Sequence, residues 1–145
     1  MTDDAADINV NVADGALTIT DKAQLTVDSI TNADTVNVKG NSNLMADEIA
    51  NSGVINVDTA KVSNAVITND NGTVNLSSNV TMFNVKLEGK GDVNFTNATI
   101  SKDSSFKGES TDLNYTFDRK NVIEAGSAVA FATTNSNADD EISFK

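Results

Sequence analysis

The side chains in this sequence that could do chemistry are carboxylates and carboxamides. Histidine and cysteine are absent, so the commonest general base and the thiolate nucleophile or metal ligand are missing. Asp and Glu together number 21, but only Asp47-Glu48 and Asp139-Asp140-Glu141 form clusters. A hard cation such as calcium wants about six to eight oxygens converging from one loop. Neither cluster has the calcium-loop spacing, and no Gly-Gly-x-Gly-x-Asp repeat occurs. Both clusters read as solvated acidic loops, with weak calcium capture considered only at Asn137 to Glu141. Asp103 and Asp118, near Lys102, Arg119 and Lys120, are the one grouping to weigh for polysaccharide cleavage. A chain of net charge −11 would repel an acidic glycan, and chance placement explains the grouping better. No Gly-x-Ser-x-Gly elbow, phosphate loop or dinucleotide fingerprint is present. The expectation is a non-enzymatic chain with no catalytic, cofactor-binding or metal site.

The carboxamides carry the stronger signal, because they recur. Asn37, Asn56, Asn75 and Asn94 stand 19 residues apart, each between two apolar residues. Asn114 follows at 20, and Thr18 precedes Asn37 by 19. Asn9 has the same local pattern. Alternation places the flanking residues on one face and the amide on the other. The flanking residues Leu17, Val36, Ile55, Val74, Val93 and Leu113 form the predicted core ladder. The amides Asn37, Asn56, Asn75, Asn94 and Asn114 form the predicted outward structural ladder, stacked amide on amide as in fibrillar arrays. A flat amide array could also meet a sugar or a partner strand. Ice binding would need regular outward threonine pairs, and the outward flanks are mixed: Ala16, Thr35, Val54, Thr73 and Asp92 on one side of the column.

A fixed period of this size means stacked copies of one supersecondary unit, none able to bury its apolar face alone. Copies begin at Gly15, Asp34, Gly53, Gly72, Gly91 and Thr111. Asp14-Gly15 and Asn71-Gly72 are turn dipeptides that tolerate positive φ, so each copy is expected to open with a corner. A second apolar group follows the first (Leu25, Leu44, Val62, Met82, Ile100), then a third (Ile30, Ile49, Ile67, Leu87, Phe106). Both drift by a residue between copies, which predicts bulges or corners of variable shape. Met45 to Ala50 is the best helical candidate, and it fails because its neighbours at that slot are strands. The predicted fold is all-β: a single-stranded parallel β-helix, or β-solenoid, with about 19 residues and three short strands per coil. Residues 1–14 read as an N-terminal partial coil or cap, 15–131 as solenoid repeats, and 132–145 as a C-terminal loop and capping strand. Phe117 and Val122-Ile123 are expected to help cover the last regular coil. Roughly six or seven coils at about 4.8 Å each give a rod of about 30 Å.

Composition narrows the partners. A net charge of −11 with one arginine, Arg119, excludes the basic stripe that nucleic acid requires. It also disfavours anionic membrane surfaces, and no apolar run is long enough to insert. The Asn-x-Ser/Thr triplets at Asn71, Asn75, Asn79, Asn94, Asn97 and Asn114 follow from composition, and matter only on a eukaryotic secretory route. Met1-Thr2-Asp3-Asp4 is not a signal peptide, and Met1 is read as the start of a segment from a longer protein.

The Gly-x-Val-Asn-Val pattern, as in Gly53-Val54-Ile55-Asn56-Val57 and Gly72-Thr73-Val74-Asn75-Leu76, resembles the passenger repeats of autotransporters and filamentous-haemagglutinin-type adhesins over roughly Ala6 to Phe131. The resemblance implies a right-handed parallel β-helix from an exported bacterial surface protein, extracellular or on the cell surface. It implies a rigid stalk or adhesive role, with a host-cell or matrix ligand, protein or glycan, as partner. No protease triad carries over without histidine. Binding determinants are expected first on the loop Thr133 to Glu141. The alternative is a self-assembling structural solenoid, either an extracellular fibre subunit or a bactofilin-like cytoskeletal filament, with self-association through the terminal coils.

Overall fold

The computed structural model describes residues 7–101, 104–109, 114–118, 120–132 and 141–144. The strands are β1 (Asn9–Val12), β2 (Ala16–Ile19), β3 (Gln24–Asn32), β4 (Thr35–Lys39), β5 (Asn43–Asn51), β6 (Val54–Asp58), β7 (Lys61–Asn69), β8 (Thr73–Gly89), β9 (Asp92–Ile100), β10 (Ser105–Glu109), β11 (Asn114–Asp118), β12 (Val122–Ile123), β13 (Ala128–Ala132) and β14 (Glu141–Phe144). Every pairing between them is parallel, and each joins a strand to its equivalent one winding later. The fold is therefore a β-solenoid.

Each coil turns through three faces. The first runs β2–β4–β6–β8–β9–β11–β14. The second runs through the leading halves of β3, β5 and β7, then β8, β9 and β12. The third runs β1–β3–β5–β7–β8–β10–β13. The second and third faces share one continuous strand in β3, β5 and β7, and β8 crosses all three faces in a single coil.

The core is a set of files along the axis. Leu17, Val36, Ile55, Val74 and Val93 stand opposite one another in unbroken register. So do Leu25, Leu44, Val62, Met82 and Ile100, and Ile30, Ile49, Ile67, Leu87 and Phe106. Branched side chains suit these files because they fill a pleated surface with few rotamers to lose. Val36, Ile55, Val74 and Val93 are buried, while Leu17, in the first coil, is only partly covered. Aromatic rings concentrate at the other end. Phe117 stacks on Phe95 with centroids 4.5 Å apart and planes 7° apart, and Phe106 and Tyr115 pack tilted against Phe95. Phe117 thus helps cover the last regular coil as expected, whereas Val122 and Ile123 are exposed.

The drift between copies has a local cause. β8 and β9 shift register between Ser77 and Val80, where Ser78 and Asn79 take left-handed φ values of 60° and 68°. The one extra residue is absorbed at the corner, and Val80 and Met82 return to the core.

Two sequence expectations are corrected. At β11 the partner of Val93 is Tyr115 and that of Asn94 is Thr116. Asn114 therefore stands outside the amide column, and Leu113 lies outside the described residues. Asn9 pairs with Ser29 on the third face rather than joining the Asn37 column. The second correction concerns the glycines at position one. Among these glycines only Gly15 has positive φ, at 95°; in Asn71-Gly72 it is Asn71 that takes it, at 75°. Gly53, Gly72 and Gly91 are needed for space: a Cβ there would lie 2.2 Å from the Asp34 carbonyl oxygen, 2.4 Å from Asn51 Nδ2 and 2.3 Å from the Gly72 carbonyl oxygen, respectively.

Candidate functional site

The first face carries the amide column that the spacing predicts. Asn37 donates to Thr18 Oγ1 at 3.4 Å. Asn56 Nδ2 donates to Asn37 Oδ1 at 3.0 Å, Asn75 to Asn56 at 2.9 Å, and Asn94 to Asn75 at 2.8 Å. All four amides point the same way, with nitrogen toward the N-terminal neighbour. A carboxamide has two donors and an acceptor oxygen with two lone pairs. Each ladder member therefore keeps one N–H and part of its oxygen for an outside group, repeated at the coil spacing. Lys39, Asp58, Ser77, Thr96 and Asp118 follow one another along one margin of this face.

A second amide ladder lies inside the solenoid and escapes the sequence reading. Asn32 Nδ2 donates to Asn51 Oδ1, and Asn51 Nδ2 to Asn69 Oδ1, both at 2.7 Å. Its polarity is opposite to that of the outer column. All three side chains are buried. Their nitrogens also reach backbone carbonyls: Asn32 that of Val54, Asn51 that of Gly53, and Asn69 that of Asp92. These bonds tie the end of the third face to the start of the first face, in the next copy for Asn51 and in the copy after that for Asn32 and Asn69. The signal was present: each asparagine sits two residues after the core isoleucine Ile30, Ile49 or Ile67, the inward parity of a strand. Asn51 Nδ2 and the Asn69 amide also occupy the space beside Gly72 and Gly91, so glycine at position one and asparagine at this slot form a single packing unit.

Asparagine also lines the corners, where its tolerance of left-handed backbone is used. Asn64 and Asn84 have φ of 52° and 50°, and Asn84 donates to Asn64 Oδ1 at 2.9 Å. Asn79 and Asn97 repeat the arrangement, linked at 3.1 Å. The glycosylation-type triplets thus divide. Asn75 and Asn94 are committed to the outer ladder, Asn79 and Asn97 to a corner pair, and Asn71 stands on an exposed corner.

The acidic candidates do not come together. Asp47 and Glu48 are exposed neighbours on β5, and among the described residues no three carboxylates converge. Asp139 and Asp140 lie outside the described residues, as do Lys102, Asp103 and Arg119 and the loop from Thr133 up to Asp140. Asp118 ends β11 and Lys120 is exposed. Asp34 stands at position one of its coil, where its carboxylate accepts from the Gly15 N–H at 2.8 Å and the Thr35 hydroxyl at 2.9 Å. The Gly15 N–H, then the Thr35 hydroxyl, hold its pKa below the ordinary carboxylate value.

Three surface depressions of about 230, 200 and 150 Å³ are lined respectively by Val10 to Leu17, by Asn41, Thr59 and Asn79 with their neighbours, and by Thr31, Ala50 and Thr68 with theirs. All fall below the roughly 300–1,000 Å³ of small-molecule pockets. Exposed apolar groups include Phe83, under Lys61 Nζ at 4.9 Å from the ring centroid, and Val66, besides Ile8, Val122 and Ile123. What the molecule offers is a flat polar face, regular corners and strand edges. No protein-family model, curated protein or solved structure matches the chain.

Proposed function

We propose that the chain is a non-enzymatic β-solenoid segment of an exported bacterial surface protein, serving as a rigid stalk or an adhesive face. The observation that carries this reading is the outer amide ladder, Thr18 to Asn94, with parallel strand ladders beneath it. Hydrogen bonds along the axis inside, outside and through the backbone favour a stiff rod. A face of repeated amides suits a broad polar partner, a glycan or a protein of a host cell or matrix, better than a small molecule. The likeness of the repeats to autotransporter and filamentous-haemagglutinin-type passengers supports export. Antibodies raised against the purified chain should stain intact cells of the source organism. Staining that needs permeabilised cells would reject surface display.

The second reading is a self-assembling structural solenoid. One observation favours it. Among the described residues, β1, β2 and the leading half of β3 pair on one side only, as do β12, β13 and β14 at the other end. One strand edge per face is thus offered at each end, a geometry that permits head-to-tail addition. Filaments that lengthen with concentration in the electron microscope would select this reading over the adhesin.

A further inference from the structure

Asn71 is the only asparagine followed by glycine in the chain, and it occupies a third-face corner that is a residue longer than those of the two coils before it and the coil after it. In the neighbouring coils the slot-one residue comes two after the inner amide or its equivalent: Asn32 to Asp34, Asn51 to Gly53, Gly89 to Gly91. Here Asn69 is followed by Asp70 and Asn71 before Gly72. Asn71 is exposed, with φ at 75°. The equivalent glycine nitrogens elsewhere are engaged: Gly53 N–H donates to the Asn32 carbonyl at 3.2 Å, and Gly91 N–H to that of Asn69 at 2.7 Å. Among the described residues, neither the Gly72 N–H nor the Asn71 side chain has a hydrogen-bond partner. The asparagines of both ladders, by contrast, have their amides bonded and are followed by residues bearing a Cβ.

We infer that Asn71 is a self-modification site, converting through a cyclic imide to an aspartyl or isoaspartyl linkage. The Gly72 nitrogen loses its proton to solvent base and attacks Asn71 Cγ. A C–N bond forms to close a five-membered ring, and ammonia leaves with the side-chain nitrogen. Water then opens one of the two ring carbonyls. No oxidant or cofactor takes part. Glycine matters because no Cβ shields the attacking nitrogen, and an uncommitted N–H matters because attack costs no existing bond. The same ring could close at Asp14-Gly15 with loss of water, but the Gly15 N–H is held by the Asp34 carboxylate at 2.8 Å. Conversion adds one negative charge. The isoaspartyl product also lengthens the main chain by one carbon beside Gly72, where a Cβ would already lie 2.4 Å from Asn51 Nδ2. Modification is thus placed to disturb the inner ladder.

The test is to age the purified full chain in warm, mildly alkaline buffer and map it by peptide mass spectrometry with isoaspartyl methyltransferase labelling. An unfolded synthetic peptide spanning residues 68–75 serves as the clock. The expected result is conversion confined to position 71, at a rate comparable to the peptide's and rising with pH. It should be lost in Asn71→Gln, whose ring would have six members. An intact Asn71 after the peptide has converted would overturn the inference, as would equal conversion across the ladder asparagines.

Discussion

At the residue scale, one amino acid does two jobs that differ in energy because water reaches one and not the other. Replacing Asn56 in the outer ladder removes two amide bonds whose partners can turn to solvent, so Asn56→Ala should cost about 1 kcal/mol or less. Asn51→Ala leaves two buried amides short of partners and should cost about 2–4 kcal/mol. Paired urea melts of the two variants measure the difference, and equal losses would mean the inner ladder is not dry. Tyr115 provides a pH reading. Burial raises its phenol pKa above the ordinary 10.0, so the folded chain keeps the proton after the unfolded chain has lost it. Its contribution is complete below about pH 10 and falls as pH rises further. Urea midpoints should drop on the alkaline side in the parent and drop less in Tyr115→Phe. Asp34 has the opposite sign. Its lowered pKa adds stability above the unfolded carboxylate value, and that stability is lost as pH falls through the folded one. Asp34→Asn should flatten that acid-side slope slightly.

At the scale of the elements, corners rather than strands decide which substitutions the coil tolerates. The strands follow from alternation, and any β-branched residue of similar volume serves on the core side. A corner glycine has no such freedom. Gly91→Ala would drive a methyl group to 2.3 Å from the Gly72 carbonyl oxygen and 2.5 Å from Asn69 Nδ2, and should cost about 2–4 kcal/mol. Gly15→Ala meets nothing within 4 Å and pays only for its left-handed φ, about 1–2 kcal/mol. Denaturant midpoints of the two variants test whether space or conformation sets the requirement for glycine. The turn dipeptides were legible as corners with a positive φ, found at Gly15 and Asn71, but the need for space at the other glycines was not. Asp-Gly and Asn-Gly suggest positive φ from local preference, while the crowding at Gly53, Gly72 and Gly91 comes from the adjacent coil, about 19 residues away.

For the whole molecule, stability is a sum over neighbouring coils, so position along the axis matters more than residue type. Val74 is fully buried in the middle of its file, and Leu17 is the partly covered first member of the same file. Val74→Asp places an unpaired charge between two coils and should abolish the cooperative fold. Leu17→Asp should leave the body folded and loosen only the first coil. Hydrogen exchange resolved by peptide separates these outcomes, and global unfolding of both would contradict coil-by-coil additivity.

The 19-residue period was enough to specify the solenoid, its three core files and the outer column as far as Asn94, because like residues one winding apart must superpose if each is to stay buried. It could not choose the register at β11. Leu113, Tyr115 and Phe117 share one parity, so a slip of two residues keeps every side chain on its face and leaves alternation unchanged. Contact resolves that degeneracy: Phe117 stacks on Phe95, and Tyr115 falls opposite Val93. The inner ladder was hidden for a similar reason. A polar residue at inward parity looks like an error in one coil, and becomes stable only when the next coil supplies its hydrogen-bond partner.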